Sequence, residues 1–524
     1  MAAPRSPGLW LAAVLVATLV AFAPSLRNGF AMDDARAART PMTARVQSLG
    51  DYFTTSYWHG TGEVSELYRP VTILSFALTN ALRRGGGDPD HEALPHHGLN
   101  LLLHLAAVLA VFALVRALGG TPLMANAAAA AFGLHAVHSE VVATVVGRAE
   151  LLAFVAGAGA ALLHLRALRT PPWPAFGLRA AAAVALFVAF GAKESALAWA
   201  PFLAVLGLAA EPRRSALRHG VLAAAVAALP LAAFFVLRAQ MLAALPGPVP
   251  EVEFVVNPLA HVDAATRVCT ATALWGFGLL KTLLPLPCHA DYGVATVALA
   301  HSPLDPSCLG AAVALAGVLG GGLWFGRRQP LLLVAAAAFF GFGLLTSNLP
   351  FAIGTIFGER LYYTPSLGLA LVVAALARRP RRWSAIALGA WLALSAAIVV
   401  PRNLVWRDDQ TLFLHEAEAG TRSVRMLVCA AVVHETRGRA DLAERLLRDA
   451  LALEPEYALA WNNLGAVRLA AGDLDGASAA LRRGFAARRG QRTSLPLLQR
   501  TWQAVQDARR AAGLAAEALP HPPR

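Results

Sequence analysis

From Leu9 to Val400 the chain alternates apolar blocks of about 15–20 residues with short connections carrying Arg, Pro or Gly. Blocks of that length predict helices whose solvent is a bilayer. They run over 9–26, 99–117, 121–136, 150–168, 176–192, 195–210, 219–239, 267–286, 308–326, 330–347, 361–377 and 383–400. Ala21-Phe22-Ala23 in the first block resembles a signal-peptide cleavage site, but Pro24 follows directly and many spans come after it. The block therefore reads as a first transmembrane helix.

After Val400 the pattern changes to that of amphipathic helices in water, with 18 arginines against 14 acidic residues. Gly438, Ala443 and Leu447 recur 34 positions later as Gly472, Ala477 and Leu481, and Trp461, Leu464 and Gly465 stand in a W-x2-LG pattern. This is the tetratricopeptide period. Phe413, 34 residues before Leu447, extends it into a truncated leading repeat over 409–420. About two and a half repeats are too few for a free solenoid, so the array is expected either to pack on the membrane part or to be capped by a helix over 494–512. The chain thus divides at 1–400 and 401–524. The expected fold is all-α, a polytopic transmembrane helical bundle with a short C-terminal repeat domain.

Composition sharpens this picture. Of 524 residues 57% are hydrophobic and 15% charged, which excludes an ordinary soluble globular protein. The net charge of +13 sits in short clusters between apolar blocks, which argues for topology signals and against nucleic-acid binding. Arg166/Arg169, Arg213/Arg214/Arg218, Arg327/Arg328 and Arg378/Arg379/Arg381/Arg382 are expected to be cytoplasmic, with 27–98, 135–149, 240–266 and 348–360 on the other side. Twelve blocks do not close this scheme, because the clusters also place 287–307 and the C-terminus outside. One segment between 219 and 286 must be misassigned, and 11 or 13 crossings are expected. The cysteines, Cys269, Cys288, Cys308 and Cys429, show no metal-ligand spacing, and a Cys288–Cys308 bridge across one loop is open.

Candidate chemistry lies at the expected outer ends of the blocks. Asp33 and Asp34 are adjacent carboxylates near low dielectric, an arrangement costly enough to suggest a task, although an Asp there would also cap a helix beginning near Ala35. His135, His138 and Glu140, continuing to Arg148 and Glu150, admit a metal reading or one in which the histidines position a loop. Arg69, His97, Asn100, His104, Lys193, Glu194, Glu359 and Arg360 flank the same side and together predict a polar cavity. Asp88-Pro89-Asp90 spells a D-x-D but follows three glycines, as a turn would.

In order along the chain, Asn28-Gly29-Phe30 to Asp34, Tyr68-Arg69-Pro70, His97 to His104, His135 to Glu150, Lys193-Glu194-Ser195, Asn257-Pro258, Asp291-Tyr292 and Glu359 to Ser366, followed by the repeats, resemble the transmembrane and tetratricopeptide-repeat O-mannosyltransferases and their bacterial relatives. Ala136, where that family usually has proline, and the short repeat array depart from the pattern. The resemblance implies a GT-C membrane glycosyltransferase that moves a sugar, mannose by analogy, from a polyprenyl-phosphate carrier to a hydroxyl on a protein or glycan outside the cytoplasm. It makes Asp33 the candidate general base with Asp34 beside it, their roles interchangeable. Arg69, Lys193 and Arg360 become candidate phosphate ligands, with His135, His138, Glu140, Arg148 and Glu359 lining the substrate site. No cofactor is predicted; a divalent cation is left open. The implied location is the plasma (inner) membrane with the repeats outside, where they could meet a protein partner. A non-enzymatic membrane-anchored repeat scaffold is the alternative, and a transporter a third. A chain cut at 405 is expected to keep some transfer only if the protein is a transferase.

Overall fold

The computed structural model describes residues 7–82, 92–211, 214–284 and 286–520, and its regular structure is helical throughout, with only two isolated bridges, Tyr292–Phe357 and Tyr457–Arg489. Among the described residues seven helices are long and apolar enough to cross a membrane: Gly8–Arg27, Leu94–Ala117, Arg148–Leu168, Pro172–Ala192, Ala216–Ala243, Pro306–Gly326 and Arg382–Val405. The protein is a multi-pass membrane protein. Proline stands in the first turn of several of these helices, where its missing N–H costs nothing and its fixed φ suits the turn.

Several expected spans are shorter. The blocks 121–136 and 361–377 give helices of only 12 and 10 residues, Pro122–Gly133 and Leu367–Leu376. Their remaining residues leave the helix for loops that carry His135, Arg360 and Tyr362. A helix that no block announced, Pro70–Leu82, also forms. Thr72, Ser75, Thr79 and Asn80 dilute its apolar signal, but the protein satisfies them internally: Thr72 donates to the Ala192 carbonyl at 2.8 Å, and Asn80 to those of Ala38 and Thr43 at 2.9 and 3.0 Å.

The bundle has two unlike ends. At one, tight turns meet: Arg169 donates to the Ala117 carbonyl at 2.8 Å and Gln329 to that of Ala375 at 2.9 Å. Arginine clusters lie along these turns. At the other end the long connections interlock through Asp34–Val146, Glu140–Arg360, Asn257–Asn348 and Asp291–Arg425 contacts.

Helices Asp409–Glu418, Val424–Thr436, Ala440–Leu453, Ala458–Ala470 and Leu474–Ala486 follow as antiparallel neighbours. Gly438 and Gly472, 34 residues apart, end equivalent helices with φ of +71° and +79°, a conformation that favours glycine. Both expected supports are present. Val255, Val256 and Val294 of the loop-rich end enter the core formed by Val424, Leu427 and Leu447, while Leu498, Trp502 and Val505 of helix Gln491–Ala511 cover Leu481 and Phe485. All four thiols are free, and Cys308 packs against Cys269 and Ala300; the Cys288–Cys308 bridge does not form because its partners belong to different packing clusters. Asp88 and Asp90, like Arg213, lie outside the described residues.

Candidate active site

The acidic motif starts where the first long helix ends. Asn28 donates to the Asn403 carbonyl at 3.0 Å, Asn403 donates to that of Ala21 at 3.1 Å, and the Gly29 amide donates to the Arg407 carbonyl at 2.8 Å. The next residues form a tight turn in which the Asp34 amide donates to Ala31 O at 3.1 Å. Met32 has a φ of +55°, a strained value for a side chain of its size.

The two adjacent aspartates then part company. Asp34 is fully buried, and its carboxylate accepts the Val146 amide at 2.9 Å and the Ala31 amide at 3.3 Å, joining the first loop to the His135–Arg148 loop. Burial outweighs these amides and pushes its pKa up to about 7. Asp33 is exposed. It sits at the N-cap of helix Asp34–Ala38 without capping it by its side chain, and its carboxylate makes no hydrogen bond or ion pair among the described residues.

Arg360 lies at the same loop-rich end. Its loop lies flat on helix Ala264–Leu283 because Gly278 leaves room for the Tyr362 ring; a Cβ there would stand 1.8 Å from the ring. Glu140 holds the Arg360 side chain at 2.5 Å and its amide at 3.3 Å, leaving the guanidinium side chain 43% exposed. Glu140 beside it raises the Arg360 pKa, with Asp33 adding to the effect, so Asp33, Glu140 and Arg360 share one electrostatic environment. Lys193 pairs with Glu150, and Arg69 with Glu194 at 3.0 Å, stacked 5.2 Å above the Tyr57 ring. Both Arg69 and Arg360 act on Lys193. A narrow cavity opens next to this pair between Glu150, Ser195, Trp199, Phe342, Thr346 and Thr364.

The remaining expected residues are sealed. The expected block 121–136 does not stay helical to its end: helix Pro122–Gly133 stops first, His135 is extended and accepts the Val137 amide, and a 3-10 turn covers Ala136–His138. His135 Nε2 lies 2.8 Å from Thr282 O and His138 Nε2 lies 2.9 Å from Ser366 Oγ. Burial lowers the His135 pKa to about 4, so it is neutral at pH 7. Among the described residues no group of three or more His, Cys, Asp or Glu is placed to hold a metal ion. Arg148 is fully buried and donates to Asn100 at 2.9 Å, Thr79 at 2.9 Å and the His96 carbonyl at 2.9 Å. Glu359 accepts from Lys281 at 2.9 Å, from Tyr292 and from the His289 amide.

No family model matches the chain. It is 26% identical over 479 residues to mouse "Protein O-mannosyl-transferase TMTC3", covering 84% of this chain and 50% of that protein. To Drosophila melanogaster "Protein O-mannosyl-transferase Tmtc1" it is 25% identical over 549 residues, covering 87% and 62%, and to that organism's Tmtc2 31% over 293 residues, covering 52% and 29%. The chain is thus similar, over most of its length, to several proteins named TMTC O-mannosyl-transferases. It spans about half the length of the curated TMTC proteins that it matches along most of its own length.

Several polar residues at this end of the fold escaped sequence reading. Lys281 gave a faint signal, as one of only two lysines and placed inside an apolar block. Tyr57, whose buried hydroxyl has no partner among the described residues, and Asp409, which accepts the Met32 amide, gave none. Nor did Arg402, which binds Glu416 at 2.8 Å, or Arg425, which binds Asp291 at 2.6 Å. These last contacts join the membrane part to the first repeat helices, so a cut at 405 removes part of the site's support and does not isolate the chemistry.

Proposed function

We propose that this protein transfers a sugar, mannose by the names of its relatives, from a polyprenyl-phosphate carrier to a hydroxyl on a protein or glycan. The observation that carries the reading is the contrast between Asp33, exposed, unpaired among the described residues and within electrostatic reach of the half-exposed Arg360, and its neighbour Asp34, whose oxygens are closed off by backbone amides. Asp33 is then the general base. It takes the proton of the acceptor hydroxyl as that oxygen bonds to the anomeric carbon, and the bond from that carbon to the carrier phosphate breaks. The phosphate leaves as a stable anion, so no acid is needed, and direct displacement inverts the anomeric centre.

Arg360 meets the departing phosphate, with Lys193 and Arg69 adding positive potential from behind. Each cation already has a carboxylate partner, so the phosphate competes for their donors, most easily at Arg360. Asp34, His135, His138, Arg148 and Glu359 shape the site and do not touch substrate. The loop-rich end and the helices after Val405 face away from the cytoplasm of the inner membrane, as the arginine clusters at the opposite end support. The repeat helices would be available to a protein partner.

The test is transfer from purified, reconstituted protein given a panel of polyprenyl-phosphate sugars. Asp33→Asn should abolish turnover in a folded protein, whereas Asp34→Asn should act mainly on stability. Full transfer by both variants overturns the assignment.

A further inference from the structure

We infer that Asp409, on the first helix after the membrane part, is a positioning residue for Asp33. The inference rests on the proposed role of Asp33 as base. The turn that presents Asp33 is closed on itself at both ends: the Ala31 amide donates to the Asp34 carboxylate and the Asp34 amide to Ala31 O. The Met32 amide lies between these two bonds. It is held from outside, donating to Asp409 Oδ1 at 2.6 Å across 377 positions of sequence. Met32 is also one of only two non-glycine residues with positive φ among the described residues, at +55°.

A strained conformation persists only where its surroundings enforce it. Here several of the enforcing contacts come from the residues after the membrane part. The Met32 side chain packs against the cluster containing Trp406, Leu412 and Met426, and the preceding Gly29 amide is bound by Arg407 O. The segment 402–412 therefore supplies part of the mould for the acidic turn, including the one contact to the Met32 amide. Without the Asp409 contact the Met32 peptide can relax to negative φ, which rotates the following residue and carries the Asp33 carboxylate away from Arg360. The helices after Val405 thus serve the chemistry through one carboxylate, whatever else they bind.

The experiment uses the full-length protein reconstituted with polyprenyl-phosphate mannose and an acceptor. Loss of a charge-assisted hydrogen bond shifts such an equilibrium by about tenfold or more, so Asp409→Ala should lower kcat about tenfold with KM for the lipid donor within about twofold. Asp409→Asn, which keeps an acceptor oxygen, should recover most of kcat. Met32→Gly in the Asp409→Ala background should recover part of it, because glycine adopts positive φ unaided. Hydrogen exchange of the 31–34 amides should quicken in Asp409→Ala and return towards wild type in Asp409→Asn. Unchanged exchange and kcat in Asp409→Ala, or Asn as damaging as Ala, overturns the inference. Failure of the base assignment shows separately, as full activity of Asp33→Asn.

Discussion

The rim and the floor of the polar end are built from the same residue types and differ in what surrounds them. On the rim, Asp33 and Arg360 keep solvent-facing atoms. On the floor, Asp34, Arg148, His135 and Glu359 are buried and spend their polar atoms on backbone amides, carbonyls and one another. The difference teaches that a costly polar residue near a bilayer can be kept for either of two purposes. It can present a reactive group, or it can fasten irregular backbone that would otherwise leave hydrogen-bonding groups unsatisfied in low dielectric. Asp33 and Asp34 make the point at adjacent positions.

The comparison breaks most visibly at Arg148. Arg148→Ala removes a fully buried cation from Asn100, Thr79 and the His96 carbonyl and leaves those groups and a cavity behind, a loss of about 4 kcal/mol or more. Folded protein recovered from detergent extracts should fall severely; wild-type recovery would move Arg148 out of the floor. Next comes Asp33→Asn, expected to cut kcat by at least about a hundredfold while leaving the unfolding temperature unchanged, since its carboxylate has no partner to lose. A marked fall in Tm would make Asp33 structural. A smaller effect is expected at Arg360. Arg360→Ala should raise KM for the lipid donor by roughly tenfold, and Arg360→Lys by less, because charge is kept while paired donation is lost; equal values for both would show that planar donation is what counts.

The smallest effect is a pH trend. The Asp34 pKa is raised to about 7 in the fold from an ordinary value of 3.8, so between these limits the folded state binds more protons than the unfolded chain. The stabilisation is full below about pH 4 and is lost as pH rises through 7. The Tm advantage of wild type over Asp34→Asn should therefore shrink from pH 4 to pH 7. An advantage that grows over that range would mean that the amides of Val146 and Ala31 outweigh burial.

Much of this molecule was legible along the chain. Apolar block length announced membrane helices, and a 34-residue recurrence announced the paired helices after Val405, because both signals are local and repeat at the period of the structure they specify. Motif order brought Asp33, Glu140, Lys193 and Arg360 forward as a set. What the pattern blurred was the edge of each apolar block, where residues such as Ala136 and Leu361 read as helix yet fold into turns that seat His135 and Arg360. Helix Pro70–Leu82 was hidden for the converse reason, since its polar residues are satisfied by partners far away in sequence.

Sequence alone determined that the chain lives in a bilayer, which end of it carries the acids and cations, and that a helical repeat follows, since hydropathy, charge clusters and periodicity are properties of short stretches. Only the tertiary structure decided that Asp33 is open and Asp34 closed, that Arg148 is a sealed clamp, and that a carboxylate 377 positions away grips the Met32 amide. Burial and hydrogen-bond partnership depend on which distant segments pack together, and adjacent residues of identical chemistry carry no mark of it.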